Sequence, residues 1–205
     1  MTKRRSVGLI FGGESPEHEV SIVTARSIAQ HLDPVKYDVI PIGVARNGVW
    51  TVLNLNGKTP FDRLVAQERP EKSTHPFLPL EKGSEATPLP DIFFNAIHGA
   101  SGEDGQLQGY LQLLHRPYTG AGLLAMAAGM DKWITKRIWQ SEGLPVVPFV
   151  GLTEERWQQN PQENLSAIEV LGYPLFVKPA NLGSSIGIEK VKKTSDLSAA
   201  LARAF

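Results

Sequence analysis

The hydrophobic pattern predicts that the chain opens with a strand, a helix and a second strand. Apolar residues dominate the run Ser6 to Phe11, and Gly12 and Gly13 end it. Apolar residues then recur at intervals of three and four, as in a helix packed on a sheet: Ile22, Ala25, Ile28, Ala29 and Leu32. Tyr37 to Val44 is the next β-type run. This order predicts a βαβ unit whose Gly-Gly turn lies at the carboxyl edge of the sheet, where ligands bind in such folds.

Polar residues with a helix-start signature follow the Gly-Gly turn. Ser15 is a favourable N-cap and Pro16 suits the first helical position, so the helix is predicted to begin there. Glu17, His18 and Glu19 then occupy its first turn. Acidic residues favour the positive end of a helix dipole in any protein. A carboxylate at the ligand edge of a sheet can alternatively bind an ammonium group, and Glu17 is the candidate.

A second strand, loop and helix follow later in the chain. Asp91 to Ile97 is an unusually apolar run, which predicts a central strand, and it leads into the glycine-rich loop His98 to Gly109. This edge is expected beside the first one, because both loops follow strands of one sheet. The next helix presents an apolar face formed by Leu107, Leu111 and Leu114.

The polar residues of this second loop have two interpretations each. His98 is either a structural histidine, which is the commoner case, or a site residue. Glu103 and Asp104 either cap the next helix, where carboxylates are favourable in any protein, or contribute to the site. The residues alone leave both questions open.

The remaining pattern predicts a domain boundary near residue 121. Gly48 to Leu53 predicts a short edge strand, and Pro117 to Thr119 predicts the last strand of the first domain, which Gly120 to Gly122 closes. Residues 54 to 90 are polar and irregular, with five prolines between Pro70 and Pro90, and predict loops and one short helix. The predicted domains are residues 1–121 and 122–205.

In the second domain, helices surround a glycine- and serine-rich flap. Its predicted elements are a helix from Lys132 to Trp139 capped by Asp131, with Ile134 and Ile138 on one face, an edge strand from Val146 to Leu152, a helix from Asn164 to Leu171, and a final helix capped by Ser195. Two β-type runs, Leu175 to Val177 and Ile186 to Val191, are connected by a loop rich in glycine and serine, and the phosphate flap is assigned to residues 178–187. Backbone N–H groups of such a loop can converge on an anion, and a lysine at its root adds a charge for phosphate. The alternative is an ordinary hairpin with a solvated lysine.

Composition excludes several classes of function. The chain has 205 residues and no net charge, with 21 basic and 21 acidic side chains, which argues against nucleic acid or an anionic membrane surface as the main partner. It contains no cysteine, which excludes disulfides, thiolate metal sites and thiol nucleophiles. No apolar run reaches membrane-spanning length, and the short apolar run after Lys3, Arg4 and Arg5 favours a first strand of a cytoplasmic protein over a signal peptide.

Five motifs in order give the chain a family resemblance. FGGESPEHEVS, IHGASGEDGQLQG, PYTGAG, GMDKWITK and LFVKPANLGSSIG together resemble the D-alanine–D-alanine ligases of the ATP-grasp superfamily. The resemblance covers nearly the whole chain apart from residues 54 to 90. It implies an α/β fold: a Rossmann-like parallel-sheet domain followed by the first half of an ATP-grasp domain, which is α+β and mostly antiparallel.

The resemblance also implies a reaction for peptidoglycan precursor synthesis in the cytoplasm. ATP, used with Mg²⁺, phosphorylates the carboxylate of one D-alanine, and the amine of a second D-alanine displaces phosphate from the acyl phosphate. No protein nucleophile is needed, in agreement with the absence of cysteine. Catalysis then depends on positioning and on electrostatic stabilisation of phosphoryl oxygens. A homodimer is a family-level expectation.

Two sets of site residues are implied by the resemblance. One set binds the first D-alanine: Glu17 at its ammonium group, Val20 and Ser21 at the same end, and His98 at its carboxyl region. The other set binds the ATP phosphates: Lys132, Lys178, Gly183, Ser184 and Ser185. Ser184 is also a catalytic candidate with Glu17, because in this family it helps to hold a lid loop through a hydrogen-bond network, and the tyrosine of that lid is not in this chain.

Family members continue well beyond residue 205, and their further part supplies an adenine-contacting strand, the acidic and asparagine ligands of Mg²⁺, and an arginine. The resemblance therefore implies no metal ligands in this chain, which is expected to be inactive alone. Two alternatives stay open: a related ATP-grasp ligase with a different second substrate, and a non-catalytic binding module.

Overall fold

A computed structural model of the protein describes residues 3–53 and 89–205. It forms two compact units, Met1–Ala127 and Ala128–Phe205. The boundary predicted after residue 121 stays a prediction. The interpretation of residues 54 to 90 as loops with one short helix falls almost entirely outside the described residues.

The first unit alternates strands and helices along the chain. Its described elements are β1 (Arg5–Gly12), α1 (His18–His31), β2 (Tyr37–Val44), β3 (Trp50–Val52), β4 (Ile92–Asn95), α2 (Gln106–Leu113) and α3 (Leu123–Met130), of which α3 reaches into the second unit. The strand order is β3-β2-β1-β4, with β1 parallel to both β2 and β4 and with β3 antiparallel at the edge. The predicted βαβ unit is confirmed, and the parallel pairing of β1 with β4 places their carboxyl ends at the same edge.

β4 pairs with β1 on one side and forms a single β-bridge on its other side. Phe93 bridges in parallel to Tyr118, and the Phe93 N–H donates to the Pro117 carbonyl at 2.9 Å. The strand predicted at residues 117–119 is this bridge. The central strand of the sheet is β1, so the prediction that β4 is central is only partly correct.

Alternation along the buried strands divides the core between the two faces of the sheet. Leu9 and Phe11 pack with Ile22 and Ala25 of α1, whereas Ile10 between them packs on the opposite face with the residues of α2. Successive side chains of a strand point to opposite faces, so a continuous apolar run serves both layers. Each fully buried side chain of this size contributes about 1.5–3 kcal/mol relative to an exposed one.

The start of α1 differs from the prediction. The helix begins at His18, and Glu17 occupies the N-cap position without a side-chain cap hydrogen bond. Ser15 and Pro16 lie in the preceding turn. The Ser15 hydroxyl donates to the His98 carbonyl oxygen at 2.7 Å and accepts from the Glu17 N–H at 3.2 Å, so it links the two loops from within the turn that precedes α1.

The second unit packs helices against a two-stranded antiparallel sheet. Its elements are α4 (Lys132–Ser141), α5 (Glu154–Gln159), α6 (Pro161–Glu169), β5 (Leu175–Val177), β6 (Glu189–Val191), a 3₁₀ turn (Thr194–Asp196) and α7 (Leu197–Ala204). Asp131 caps α4 as predicted, because its carboxylate accepts from the Trp133 and Ile134 N–H groups at 2.8 and 2.9 Å. The core is formed by Ile168, Val177, Val191, Leu197, Ala200 and Leu201.

Four predictions for this unit need correction. Residues 146–152 are not a strand, because no described strand pairs with them and β5 and β6 pair with each other. The second strand of the flap begins at Glu189 and not at Ile186, since hydrogen-bonded turns occupy the preceding residues. Ser195 lies inside the 3₁₀ turn, and α7 has Asp196 at its N-cap. The helix predicted from Asn164 begins at Pro161, and α5 was not predicted.

Candidate functional site

The Gly12–Gly13 turn after β1 has no room for side chains. Both glycines have positive φ, +93° and +97°. A Cβ atom on Gly12 would lie 2.2 Å from the Val44 carbonyl oxygen, and the Gly13 N–H donates to that same oxygen at 2.8 Å. The end of β1 is therefore held directly against the end of β2.

Ser21 connects α1 to the carboxyl ends of two strands. Its hydroxyl donates to the Ala96 carbonyl oxygen at 2.6 Å and accepts from the Gly12 N–H at 2.8 Å, and the residue is fully buried. Val20, beside it in sequence, is 54% exposed. Ser21 shapes this end of the site by fixing backbone, and a direct substrate contact for Ser21 or Val20 stays a prediction.

A second buried polar group, His18, also supports the turn. Its Nδ1 lies 2.6 Å from the Gly13 carbonyl oxygen and the residue is buried. A carbonyl oxygen only accepts, so Nδ1 carries the proton. Sequence analysis placed His18 in the first helical turn but assigned it no contact, and its signal was its position just after the Gly-Gly turn.

Glu17 lies against the loop that follows β4. A Cβ atom built on Gly99 would be 2.6 Å from Glu17 Oε2, so the carboxylate occupies the place that a side chain at position 99 would take. Gly99 also has a positive φ of +73°. The structure therefore brings together the two loops in which sequence analysis placed Glu17 and His98.

His98 is held from two directions in the first unit. Its Nε2 lies 2.9 Å from Thr24 Oγ1 on α1, and its Nδ1 lies 3.7 Å from Glu103 Oε1. The side chain stays 30% exposed, so it is oriented and still accessible. Thr24 was not found by sequence analysis, because a threonine four residues after Val20 has the appearance of an ordinary helix-surface position.

Glu103 and Asp104 mainly hold the second loop together. Glu103 Oε2 accepts from the Gly99 N–H at 2.9 Å, and Asp104 Oδ2 accepts from the Ser101 N–H at 2.8 Å. Asp104 Oδ1 also accepts from the Gln106 N–H at 3.1 Å at the start of α2. These contacts favour the interpretation that both carboxylates bind backbone near the helix start.

In the second unit, Lys132 is hydrogen-bonded to the backbone near the start of the flap. Its Nζ donates to the carbonyl oxygens of Ala180 and Leu182, the former at 3.2 Å, and its N–H donates to the Ala180 carbonyl at 3.0 Å. Partial burial, followed by the positive charge of Lys178, lowers the pKa of Lys132 below its usual value.

The flap connecting β5 and β6 contains two consecutive serines in the left-handed region. Ser184 and Ser185 have φ of +48° and +60°, and the tight turn is held by the Ile186 N–H donating to the Gly183 carbonyl at 3.0 Å. A left-handed conformation costs a non-glycine residue roughly 1–2 kcal/mol. Such turns direct successive N–H groups to one side and form anion-binding concavities.

Comparison with known proteins assigns the family. The sequence matches the family described as D-ala D-ala ligase N-terminus over residues 6–121 and the family described as D-ala D-ala ligase C-terminus over residues 138–205. The chain belongs to the D-alanine–D-alanine ligase family. This confirms the resemblance found in the sequence.

Individual relatives agree with this family assignment. The chain is 43% identical over 207 residues to D-alanine--D-alanine ligase of Corynebacterium aurimucosum, covering 97% of this chain and 57% of the relative. It is 45% identical over 213 residues to D-alanine--D-alanine ligase A of Chromobacterium violaceum, again covering 97% of this chain and 57% of the relative. The chain thus spans a little over half the length of these curated relatives.

Solved structures of the family share the fold. The D-alanine-D-alanine ligase of Coxiella burnetii matches with a TM-score of 0.83 at 31% identity, over 98% of this chain and 60% of that protein. VanG D-Ala:D-Ser ligase from Enterococcus faecalis matches with a TM-score of 0.81 at 30% identity, over 99% of this chain and 60% of that protein. The predicted fold class is confirmed, and it is the ATP-grasp fold of D-alanine–D-alanine ligases.

The described part of this ligase-family chain contains no group of three or more His, Cys, Asp or Glu side chains placed to hold a metal ion. The expectation that the Mg²⁺ ligands lie outside this chain stays a prediction. Over the same described ranges, no helix has the length and apolar character needed to cross a membrane.

Proposed function

We propose that this chain forms the first-substrate part and the phosphate-binding part of an ATP-dependent ligase that joins two D-alanines. The observation that carries the proposal is the contact between the Glu17 carboxylate and the His98–Gly99 loop, at the ligand edge of a sheet in a chain of this family. A carboxylate next to a loop that carries an accessible imidazole suits the ammonium and carboxylate ends of one amino acid.

In the first unit, Glu17 accepts hydrogen bonds from the ammonium group of the first D-alanine. His98, oriented by Thr24 and Glu103, lies against its carboxyl region. The buried hydrogen bonds of Ser21 and His18 fix the backbone that carries Glu17 and His98. Positioning of this kind lowers the barrier because the reacting groups no longer have to be ordered during the reaction.

In the second unit, Lys132 and Lys178 bind phosphate oxygens, and the N–H groups of Gly183 to Ser185 cover them. ATP supplies the phosphoryl group that activates the carboxylate of the first D-alanine, and the amine of the second D-alanine displaces phosphate. Donors that are already in place when negative charge develops give the largest electrostatic effect.

A different second substrate is the other candidate. The similarity to VanG, a D-Ala:D-Ser ligase, at 30% identity supports this candidate. The curated relatives at 43% and 45% identity carry the D-alanine name and favour D-alanine. The non-catalytic alternative is disfavoured because Glu17, His98, Lys132, Lys178 and Ser184 are all present.

The test is phosphate release from ATP by the complete protein that contains this chain, with mass spectrometry of the product. We expect release with D-alanine and formation of D-alanyl-D-alanine, no release with L-alanine alone, and a weaker response when D-lactate or D-serine accompanies D-alanine. A mixed product formed faster than the D-alanine dipeptide would support the different second substrate. No release with any of these would contradict the ligase proposal. Sedimentation of the same protein would test the homodimer.

A further inference from the structure

A third lysine lies beside the two that were predicted to bind phosphate. Lys136 follows Lys132 by four residues on α4, and side chains at this spacing are neighbours on one face of a helix. The Lys136 Nζ lies 4.8 Å from the centre of the Phe149 ring. Sequence analysis included Lys136 only within the α4 pattern, because a lysine there is ordinarily a solvated surface residue.

The charge of Lys178 acts on both lysines of α4. Partial burial, followed by the charge of Lys178, lowers the pKa of Lys136, and the same two causes act on Lys132 in the same order. One charge at the root of the flap is therefore felt by both lysines of α4. A like charge nearby disfavours the charged form of a lysine, and a bound anion would offset that effect.

No carboxylate within the described residues forms an ion pair with Lys132, Lys136 or Lys178. Asp131 raises the pKa of Lys132, but its carboxylate already accepts two hydrogen bonds from N–H groups at the start of α4. For Lys136 the only causes of its altered pKa are burial and Lys178. Lys132, Lys136 and Lys178 thus form a group of positive charges without a described carboxylate partner, next to a flap whose N–H groups can bind an anion.

Phe149 gives Lys136 a fixed place that a solvated lysine lacks. An ammonium group within about 6 Å of an aromatic ring centre is attracted by the ring face. This contact holds the ammonium near the α4 face that carries Lys132, and it needs no carboxylate. The positive charge therefore remains available to a ligand.

We propose that Lys136 is a third cation of the phosphate-binding site, held in place by the Phe149 ring. The inference rests on the proposed function and adds a specificity residue to it. The charge of Lys136 serves the polyphosphate group, since three cations suit a ligand with several negative charges and favour ATP over nucleotides with fewer phosphates.

The experiment compares ATP and AMP affinity by calorimetry in the complete protein and in two variants. Lys136→Met keeps an unbranched side chain against Phe149 and removes the charge, whereas Lys136→Arg keeps the charge and the ring contact. We expect Lys136→Met to weaken ATP binding about tenfold, the size of one charge-assisted contact, with a much smaller effect on AMP. Lys136→Arg is expected to stay within about threefold of the parent, since the charge and its place over the ring are kept.

A matched control is Arg137→Met, which removes a positive charge from the adjacent, exposed position of α4 and is expected to leave ATP binding unchanged. Equal losses for ATP and AMP in Lys136→Met, or no loss, would overturn the role of Lys136. Lys132→Met and Lys178→Met test the proposed function separately from the role of Lys136. If neither variant weakens ATP binding, the proposed phosphate site itself is wrong. If Lys136→Met does not fold, Lys136→Gln is measured in its place.

Discussion

The two candidate regions satisfy their polar groups in opposite ways. In the first unit, the buried hydroxyl of Ser21 and the imidazole of His18 are bonded to backbone groups of the turn. In the second unit, Lys136 and Lys178 are without carboxylate partners in the described chain, and the flap has two serines in the left-handed region. The first region is built for one fixed shape. The second combines positive charge that no described carboxylate pairs with and a turn that contains two left-handed serines.

The largest expected effect tests the fixed shape at Gly12. Gly12→Ala would place a Cβ 2.2 Å from the Val44 carbonyl oxygen at a φ of +93°, so both the strand end and the turn must move. We expect a loss of about 3 kcal/mol in the free energy of unfolding, measured by denaturant titration. The control is Gly129→Ala near the end of α3, where nothing lies within 4 Å and a small gain is expected. Equal effects would contradict a rigid turn.

Ser21→Ala removes the hydroxyl that joins β1, β4 and α1. The Gly12 N–H and the Ala96 carbonyl would remain buried without this partner, which costs about 1–3 kcal/mol for an unsatisfied group. Thermal and denaturant unfolding measure this loss. Ser166→Ala on α6 removes an exposed hydroxyl contact and should change stability by less than about 0.5 kcal/mol. If Ser21→Ala lowers the free energy of unfolding no more than Ser166→Ala does, the hydrogen bonds of Ser21 are dispensable for stability.

Lys178→Ala tests the second region through ligand binding. We expect ATP affinity to fall at least about tenfold, because one charge-assisted contact contributes about 1.5–3 kcal/mol. Lys132→Ala should behave similarly, although its hydrogen bonds to Ala180 and Leu182 add a loss of stability. Calorimetry separates affinity from stability. Unchanged ATP affinity in Lys178→Ala would remove this residue from the site.

Glu17→Gln keeps the shape at the contact with Gly99 and removes the charge. In the complete protein we expect the KM for D-alanine to rise about tenfold, the size of one lost charge-assisted hydrogen bond, while ATP affinity changes little. Steady-state kinetics with ATP calorimetry separates the two substrates. D-alanine kinetics equal to those of the parent protein would assign Glu17 to the helix end alone.

The smallest expected effect is a pH dependence of stability. The pKa of Lys136 is lower in the folded chain than the usual 10.5, so above the folded pKa the unfolded state binds more protons. Stability from this group therefore rises with pH between the folded pKa and the unfolded one, and is reduced below that window. The difference in the free energy of unfolding between the parent and Lys136→Met should change in favour of the parent as pH rises through that window. A constant difference would exclude a charge effect.

Local patterns predicted what depends on local forces. The bounds of β2 and the Asp131 cap were predicted correctly because alternation and capping act over a few residues. The start of α1 was missed because the Ser15 hydroxyl contacts His98, far away in sequence. Residues 146–152 have strand composition but no strand beside them among those described, and a ladder needs two members.

The same distinction applies to the candidate site. Glu17 and His98 could be found because each follows a strand of one sheet, and the carboxyl ends of parallel strands share an edge. Thr24 and Lys136 could not, since each is an ordinary helix residue until His98 or Phe149 is placed beside it. Long-range partners decide which polar residues of a helix belong to a site.

The contact between Glu17 and Gly99 makes the two positions mutationally dependent on each other. The Glu17 carboxylate occupies the space of a side chain at position 99, so the cost of Gly99→Ala depends on the length of the residue at position 17. Shortening Glu17 to Asp would relieve the steric part of that cost but not the part due to the φ of +73°. Changes at the two positions should therefore be non-additive, and variants that reshape this end of the site will have to alter both together.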